Sequence, residues 1–221
     1  MHDRPIDRKE ACMSRMQLYR RNGWGSAIVE AQLAHYGLEA EGVEVADLFL
    51  DSAARRELMR ISPAGQIPVL ILPDGRVLSE SAAITLHLAD MTERDDLVPA
   101  AGAAERPRFL RWLIFLVAQV YPCFTFGDDP ARFLTDPAAQ KELGEATTAR
   151  LQELWTALEG AVGAPWFLGE RFSALDIYLA VMTNWKPGPE WFEAHAPKVW
   201  SIARATVARD DLAPVFQRNF G

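Results

Sequence analysis

The segment from Ser62 to Leu70 and the Glu80-Ser81 pair contain residue types suited to holding a small peptide ligand. Pro68 opens an apolar run typical of a strand, where a proline cannot donate a hydrogen bond to a neighbouring strand. A cis Ile67–Pro68 bond would turn the Ile67 N–H and C=O outward, where they can pair with an extended peptide. Since only about 5–6% of X–Pro bonds in folded proteins are cis, the local sequence alone favours the trans form.

Glu80 and Ser81 are predicted to begin a helix. The start of a helix carries partial positive charge and free amides, so it can hold a carboxylate, and Ser81 adds a hydroxyl donor. Taken alone, the pair is better explained by ordinary capping, with Ser79 as the cap.

The two cysteines and four histidines indicate neither redox chemistry nor a metal site. Cys12 and Cys123 are far apart and form no C-x-x-C pair, which disfavours dithiol chemistry and a disulfide framework, so a reducing cytoplasm is expected. The histidines lack metal-ligand spacing, so no metal is expected. The sequence also contains no Walker-type phosphate loop and no G-x-S-x-G motif.

The composition is that of a soluble globular chain, with 221 residues of which 49% are hydrophobic and 24% charged. The 23 basic and 30 acidic residues give a formal charge of −7, which argues against nonspecific binding to nucleic acid or an anionic membrane. No apolar run reaches the roughly 18 residues that indicate a spanning helix. The segment Met1–Arg15 has no apolar core, so we expect a flexible leader rather than a secretory signal.

The hydrophobic pattern predicts alternating strands and helices in the first part of the chain. A crossover makes the first two strands parallel, and the Pro73-Asp74-Gly75 turn makes the next two an antiparallel hairpin. The predicted elements are strands over Met16–Tyr19, Val43–Val45, Pro68–Leu72 and Val77–Leu78, and helices over Ser26–Tyr36, Ala53–Arg60 and Ser79–Met91.

The chain beyond residue 103 is predicted to be entirely helical. A long helix over Ala104–Val120 is expected to be interrupted at Pro122, and Ser173 with Asp176 has the spacing of a capping box. The expected parts are a leader over 1–15, a sheet-containing domain over 16–92, a linker over 93–103 and a helical domain over 104–221.

Four features, in this order, resemble the bacterial members of the cytosolic glutathione transferase superfamily. They are the order of elements, the segment Gly65–Leu70, the Glu80-Ser81 pair, and the helical second half with its Ser173-x-x-Asp176 box. The resemblance covers nearly the whole chain after Met16. It implies an α/β plus all-α fold, in which a thioredoxin-like βαβαββα N-terminal domain is followed by an all-helical C-terminal domain.

The resemblance also implies that glutathione is the co-substrate and which residues bind it. The proline matching Pro68 is cis in the family, which reverses the local preference, and the residue matching Ile67 binds the cysteinyl backbone. The pair matching Glu80 and Ser81 holds the γ-glutamyl end. The glycyl carboxylate needs a further donor, for which the candidates are Gln66, Arg55, Arg56 and Arg60, although a solvated helix face explains the arginines better.

The family keeps its catalytic Tyr, Ser or Cys in the loop that corresponds to Leu18–Ser26, and here the sequence departs from the pattern. A count without gaps places the cysteine of the beta-like class at Gly25, and the loop has no cysteine, which disfavours mixed-disulfide chemistry. We predict Ser26 as the catalytic hydroxyl, with Asn22 behind it and the amides of Trp24, Gly25 and Ser26 as auxiliaries. The alternative is that Ser26 only caps the following helix.

The energy needed to activate the thiol is modest. Lowering its pKa by two units requires a preference for the thiolate of about 2.7 kcal/mol. One hydrogen bond to a charged group contributes about 1.5–3 kcal/mol, and a helix start contributes about 0.3–1 kcal/mol. One hydroxyl and one helix start are therefore sufficient to lower the pKa of the thiol by two units.

The second substrate is expected in an apolar pocket between the domains. Trp24 is predicted as its wall or lid, and Tyr121, Phe124 and Phe126 supply further aromatic side chains. Packing within the core is the commoner role of such residues, and it stays open as the alternative.

The predicted function is that of a glutathione S-transferase, which adds a glutathione thiolate to a small apolar electrophile, as in detoxification. The resemblance implies a homodimer. Two alternatives stay open: a non-catalytic glutathione-binding or regulatory protein of the same fold, and another glutathione-dependent activity such as that of a peroxidase, a dehalogenase or an isomerase. No nucleic acid, membrane or metal partner is expected.

Overall fold

The computed structural model describes residues 15–221, and the first half of the chain forms a four-stranded sheet with helices packed on it. The strands are β1 (Met16–Arg20), β2 (Ala40–Glu44), β3 (Val69–Ile71) and β4 (Val77–Leu78), and the helices are α1 (Ser26–Tyr36), α2 (Ser52–Leu58) and α3 (Ser81–Thr92). The strand order across the sheet is β2-β1-β3-β4. The predicted leader, apart from Arg15, lies outside the described residues, as does Cys12.

The strand pairing agrees with the prediction. β1 runs parallel to β2 and antiparallel to β3, and β3 is antiparallel to β4. β2 differs in position, since the sequence predicts it over Val43–Val45 and it lies over Ala40–Glu44. Its residues are exposed or only partly buried because β2 is an edge strand. Backbone pairing to β1, rather than an apolar run, defines its limits.

The second half of the chain is helical from Arg106 onward. α4 (Arg106–Phe115) continues through a π-helical turn (Leu116–Val120) into α5 (Tyr121–Gly127), which a short 3₁₀ turn (Pro130–Arg132) follows. The remaining helices are α6 (Pro137–Glu159), α7 (Ala174–Met182), α8 (Pro189–His195), α9 (Pro197–Val207) and α10 (Ala213–Phe220).

The predicted interruption at Pro122 is wrong, because one continuous helix spans Arg106–Gly127. A proline inside a helix removes an amide donor and crowds the preceding turn. Here the wider π turn comes directly before it, and the Tyr121 N–H bonds to the Leu116 carbonyl, five residues back. The π turn therefore accommodates the proline, and it sets the direction in which Tyr121 projects.

By length and composition, the helix over Arg106–Gly127 is also apolar enough to cross a membrane. Arg111 interrupts its apolar run, so a count of uninterrupted apolar residues does not detect it. Core helices of globular proteins meet the same criterion, and Phe109, Leu113 and Leu116 of this helix are fully buried in the hydrophobic core.

Helix α1 lies in the interior and packs against β1 and the helices α3, α7 and α10. Ile28, Val29 and Ala31 have no exposed surface. Its carboxylate, Glu30, is also buried, and it is bound by Arg20 at 2.9 Å and Arg218 at 2.6 Å. Because a buried charge must be paired, these bonds fix α1, and with it the loop that precedes it.

Helix α7 begins at the predicted capping box, which is confirmed. The Asp176 carboxylate accepts hydrogen bonds from the Ser173 N–H at 2.7 Å, the Ser173 hydroxyl at 3.2 Å and the Phe167 N–H at 2.7 Å. Burial raises the pKa of Asp176 to about 6, although the three hydrogen bonds act in the opposite direction.

Candidate functional site

Two neighbouring cavities lie where the sheet-containing half meets the helical half. One has a volume of about 260 Å³ and mainly apolar walls, and is called the aromatic cavity below. The other, of about 130 Å³, lies at the start of α3 and is called the polar cavity. Four residues line both cavities: Gln66, Ile67, Tyr121 and Thr125.

The structure brings the five residues predicted to bind glutathione together around the polar cavity, namely Gln66, Ile67, Pro68, Glu80 and Ser81. They come from the loop before β3 and from the start of α3. The other lining residues are Ser62, Ala64, Ser79, Val117, Tyr121, Pro122 and Thr125. The helical half therefore closes this cavity over groups supplied by the sheet half.

The Ile67 backbone is available to a ligand. The Ile67–Pro68 bond is cis, as the resemblance implied. In the part of the chain that the structure describes, neither the N–H nor the C=O of Ile67 pairs with a loop or turn group. Gly65 turns the chain just before it with a φ of +58°, and a Cβ there would lie 2.7 Å from the Met59 Cγ. Only glycine fits this turn without strain.

The start of α3 is open to an anion. The helix begins at Ser81, and its first turn has no side-chain cap, so the alternative of Ser79 as the cap is not observed. Glu80 precedes it with a φ of 63°, which is uncommon for a residue with a side chain. Amides at an uncapped helix start favour a carboxylate.

Tyr178 of the helical half reaches the start of α3 through Thr85. The Tyr178 and Thr85 hydroxyls lie 3.5 Å apart, and burial raises the pKa of Tyr178 to about 12. Thr85 in turn donates to the Ser81 carbonyl at 2.8 Å and accepts from the Gln32 amide at 2.9 Å. This buried network joins α1, α3 and α7 next to Ser81, which lines the polar cavity.

The aromatic cavity contains the predicted pocket residues Trp24, Tyr121 and Phe124. Phe126 does not line it, so that expectation is wrong: its ring is 40% exposed and packs on Phe133 with a centroid distance of 4.7 Å. The other lining residues are Gly23, Gly25, Leu48, Phe49, Gly65, Gln66, Ile67, Thr125, Asp128, Arg132 and Trp185.

Phe49 and Trp185 complete the aromatic walls, although the sequence does not identify them as pocket residues. The Phe49 ring lies 4.7 Å from that of Trp24, and the Trp185 ring lies 5.7 Å from that of Tyr121. Their positions depend on packing between distant segments, so no local sequence signal marks them.

The loop before α1 is held by the helical half. The Trp185 indole N–H donates to the Gly23 carbonyl at 2.8 Å, and the Gly23 N–H donates to the Asn219 side-chain oxygen at 3.1 Å. Gly23, Trp24 and Gly25 are thereby fixed at the edge of the aromatic cavity.

The geometry argues against the predicted catalytic role of Ser26. Its side chain is fully buried and lines neither cavity. The hydroxyl accepts from the Arg21 N–H and donates to the Arg21 carbonyl, both at 3.1 Å. Asn22 is exposed and also lies outside the lining of both cavities. Ser26 thus closes the turn before α1 through the Arg21 backbone, but it does not cap the helix: the N-cap is Gly25 and no side chain caps the first turn, so the capping alternative is not observed either.

Tyr121 presents the unpaired hydroxyl at this junction. The oxygen is buried and has no hydrogen-bond partner among the described residues. Burial raises the pKa of Tyr121 well above its usual range, and the neighbouring Tyr178 adds to this effect. A phenol in these surroundings remains protonated at neutral pH and is available as a donor.

None of the three arginines considered for a carboxylate lines either cavity, but Arg55 lies beside Gly65, which lines the aromatic cavity. Its side chain packs on Gly65, and its Nε is buried without a partner among the described residues. Burial lowers the pKa of Arg132, and the charge of Arg55 lowers it further. Arg56 is exposed and bonds to Ser52, and Arg60 is exposed and bonds to Glu57.

The remaining candidate groups take no part in the two cavities. Cys123 is buried, and its burial raises the pKa of the thiol. Over residues 15–221, no cluster of three or more histidine, cysteine or acidic side chains is arranged to hold a metal ion.

Comparison with protein families gives one match, in which the family described as the glutathione S-transferase N-terminal domain aligns with residues 26–91. An Escherichia coli K12 protein, the uncharacterized GST-like protein YncG, is 36% identical over 92% of this chain and 98% of its own length. The glutathione S-transferase GstA of E. coli O157:H7 is 27% identical over 69% of this chain and 75% of its own length.

Among solved structures, the fold is similar to that of a glutathione transferase homologue from Sulfitobacter with bound glutathione. The TM-score is 0.80 at 22% identity, and the match covers 93% of this chain and 98% of the other. This similarity includes both the sheet-containing half and the helical half.

Proposed function

The chain belongs to the glutathione S-transferase superfamily, and on this premise we propose that it activates glutathione as a thiolate and adds it to a small apolar electrophile. The observation that carries the proposal is the junction of the two cavities. The polar cavity offers backbone and helix-start groups for a peptide with carboxylates, and the aromatic cavity offers apolar walls for the electrophile. They meet at Ile67 and Tyr121, where a thiol held in one cavity reaches the other.

Glutathione would lie along the polar cavity in an extended form. The unpaired Ile67 N–H and C=O pair with its cysteinyl unit, as a strand edge pairs with a peptide. The γ-glutamyl carboxylate lies at the start of α3, where Ser81 adds a hydroxyl donor and Glu80 accepts from the γ-glutamyl amine. We assign the glycyl carboxylate to Gln66, which lines both cavities, with Arg55, which lies beside Gly65 but lines neither cavity, as a further donor.

The chemical step is a nucleophilic attack by sulfur. The thiol loses its proton to water, and the resulting thiolate uses a lone pair to form a carbon–sulfur bond with the electrophile. When the electrophile is a chloroarene, chloride leaves with the electron pair of the carbon–chlorine bond. The protein contributes by holding the thiolate and by placing the apolar substrate against Trp24, Phe124 and Trp185.

A non-catalytic glutathione-binding or regulatory protein is the second candidate. The observation that favours it is that the serine and asparagine predicted as catalytic groups, Ser26 and Asn22, line neither cavity. Such a protein would bind glutathione without turning over an electrophile. A peroxidase, a dehalogenase or an isomerase would begin from the same bound thiolate and differ in the second substrate and in whether glutathione is oxidised to its disulfide or released unchanged.

One pair of measurements separates these possibilities. Retention of the protein on immobilised glutathione tests binding, and release of chloride from chlorodinitrobenzene in the presence of glutathione tests conjugation. Retention with turnover supports the transferase, whereas retention without turnover of that compound, a hydroperoxide or a haloalkane supports the binding protein. Loss of retention contradicts the glutathione site itself.

A homodimer and a cytoplasmic location belong to the same proposal. Light scattering tests the first, since one chain has a mass of 24.7 kDa. A homodimer gives twice that value, and a single-chain mass contradicts it. Fractionation of cells expressing the protein tests the second.

A further inference from the structure

The Tyr121 hydroxyl lacks a partner within the described part of the chain, although it stands at the junction of the two cavities. Its oxygen is buried, and the residue lines both cavities. Buried hydroxyls in proteins are normally hydrogen bonded. A buried, unpaired hydroxyl in the shared wall therefore points to a partner that arrives with a ligand.

Gly25 fixes the position of this hydroxyl. A Cβ built on Gly25 would lie 2.7 Å from the Tyr121 oxygen and 3.6 Å from the Ile67 carbonyl oxygen. The hydroxyl thus stands beside the residue that precedes α1 and near the backbone group assigned to the cysteinyl unit of glutathione. It also occupies the space that the first side-chain atom of a cysteine at position 25 would take.

The ring that carries the hydroxyl is held in place. Phe124 and Trp185 pack edge-on against it, with centroid distances of 6.2 Å and 5.7 Å and interplanar angles of 78°. Trp185 also bonds to the Gly23 carbonyl, so the ring and the loop before α1 are positioned by the same residue. This packing restricts the directions in which the hydroxyl can donate.

We propose that Tyr121 is the catalytic hydroxyl of this chain, which donates a hydrogen bond to the glutathione sulfur and stabilises the thiolate. The proposal rests on the proposed binding of glutathione in the polar cavity. The thiol proton passes to water, Tyr121 keeps its own proton, and the sulfur lone pair remains free to attack the electrophile. The start of α1, which follows Gly25 in the wall of the aromatic cavity, adds partial positive charge.

Two further observations agree with this role. Burial raises the pKa of Tyr121, so the phenol is a donor at neutral pH rather than an anion that would repel a thiolate. Ser26 cannot compete for the sulfur, because its hydroxyl is bonded on both sides to the Arg21 backbone. The helical half therefore supplies the hydroxyl that the loop before α1 lacks.

The test is the Tyr121→Phe variant, in which only the hydroxyl is removed. The readouts are the pKa of the protein-bound glutathione thiol, from the ultraviolet absorbance of the thiolate, the Kd for glutathione, and the conjugation rate with chlorodinitrobenzene. We expect the thiol pKa to rise by about 1–2 and the rate at neutral pH to fall about 10- to 100-fold, as for loss of one hydrogen bond to an anion. The Kd should change by less than about threefold, because the backbone contacts of glutathione remain.

Tyr36→Phe is the matched control. Tyr36 is a buried tyrosine on α1 that lines neither cavity, so its replacement should leave the thiol pKa unchanged. An unchanged thiol pKa in Tyr121→Phe overturns the inference, even if the conjugation rate falls. If the wild-type protein does not bind glutathione, the proposed function fails first and the inference with it, so the two failures are distinguishable.

Discussion

A Cβ atom on Gly25 would lie only 2.7 Å from the hydroxyl oxygen of Tyr121, a residue 96 positions later in the chain. A real Cβ atom essentially never comes this close to another heavy atom, so one of the two would have to move. The loop before α1, which would carry the activating side chain, therefore has a glycine at the position where the Tyr121 side chain of the helical half packs against it. This contact connects the glycine at the start of α1 to the chemistry proposed for the site.

Gly25→Ala should displace the Tyr121 hydroxyl. The backbone permits the change, because Gly25 has a φ of −58°. We expect the pKa of the bound thiol to rise by about 1–2, as in Tyr121→Phe, because the added methyl group moves the donor away. In the Tyr121→Phe background the same change should have little further effect, since the nearest ring atom lies 3.6 Å from the added Cβ. Additive effects of the two changes in this double-mutant cycle would contradict the contact.

Ser26→Ala should affect stability rather than catalysis. The variant leaves the Arg21 N–H and carbonyl without the hydroxyl that both of them bond. We expect the free energy of unfolding to fall by about 1–3 kcal/mol, measured by urea denaturation. The pKa of the bound thiol should remain that of the wild type. A raised thiol pKa with unchanged stability would restore Ser26 as the activating group.

Ser81→Ala should weaken the binding of glutathione. Ser81 is placed to bond the γ-glutamyl carboxylate, and loss of a hydrogen bond to a charged group costs about 1.5–3 kcal/mol, or about 10- to 100-fold in Kd. Isothermal titration calorimetry measures this effect directly. Ser201→Ala, at an exposed position on α9, is the control and should bind as the wild type does. Equal Kd values for the two variants would remove Ser81 from the site.

The capping box should give the protein a pH dependence of stability that Asp176→Asn abolishes. Burial raises the pKa of Asp176 in the native state from the ordinary value of 3.8 to about 6. The native protein therefore holds a proton over this range that the unfolded chain has lost, so this group's contribution to stability increases as the pH falls from 6 to 4 and is lost as the pH rises. Two pKa units correspond to about 2.7 kcal/mol.

The experiment compares urea denaturation of the wild type and Asp176→Asn at several pH values. The difference between their unfolding free energies should widen as the pH falls from 6 to 4. Asp136→Asn is the control, because Asp136 caps α6 at an exposed position with the same kind of bonds. A difference that does not vary with pH for Asp176→Asn would contradict the raised pKa.

Features with a local signal could be predicted from the sequence. The capping box at Ser173 depends on residues three positions apart, and the turn chemistry after β3 depends on three consecutive residues. Motifs place Ile67 and Ser81, and the sheet topology then brings them to one cavity.

Features that depend on long-range packing could not be predicted. A serine at a helix start looks the same in the sequence whether its hydroxyl bonds to the local backbone or faces a ligand. For Ser26, the two hydrogen bonds to the Arg21 backbone show that it has the first role. Pro122 suggests a helix end, yet the π turn before it keeps the helix intact. The position of Tyr121 beside Gly25 follows from that turn and from the docking of the two halves.

The most direct test of the proposed site is a crystal structure of the wild-type protein with glutathione bound. We predict that the cysteinyl unit pairs with the Ile67 backbone, that the γ-glutamyl carboxylate lies at Ser81, and that the sulfur is within hydrogen-bond distance of the Tyr121 hydroxyl. Glutathione bound elsewhere, or in the polar cavity with its sulfur bonded to another group and turned away from Tyr121, would contradict this prediction.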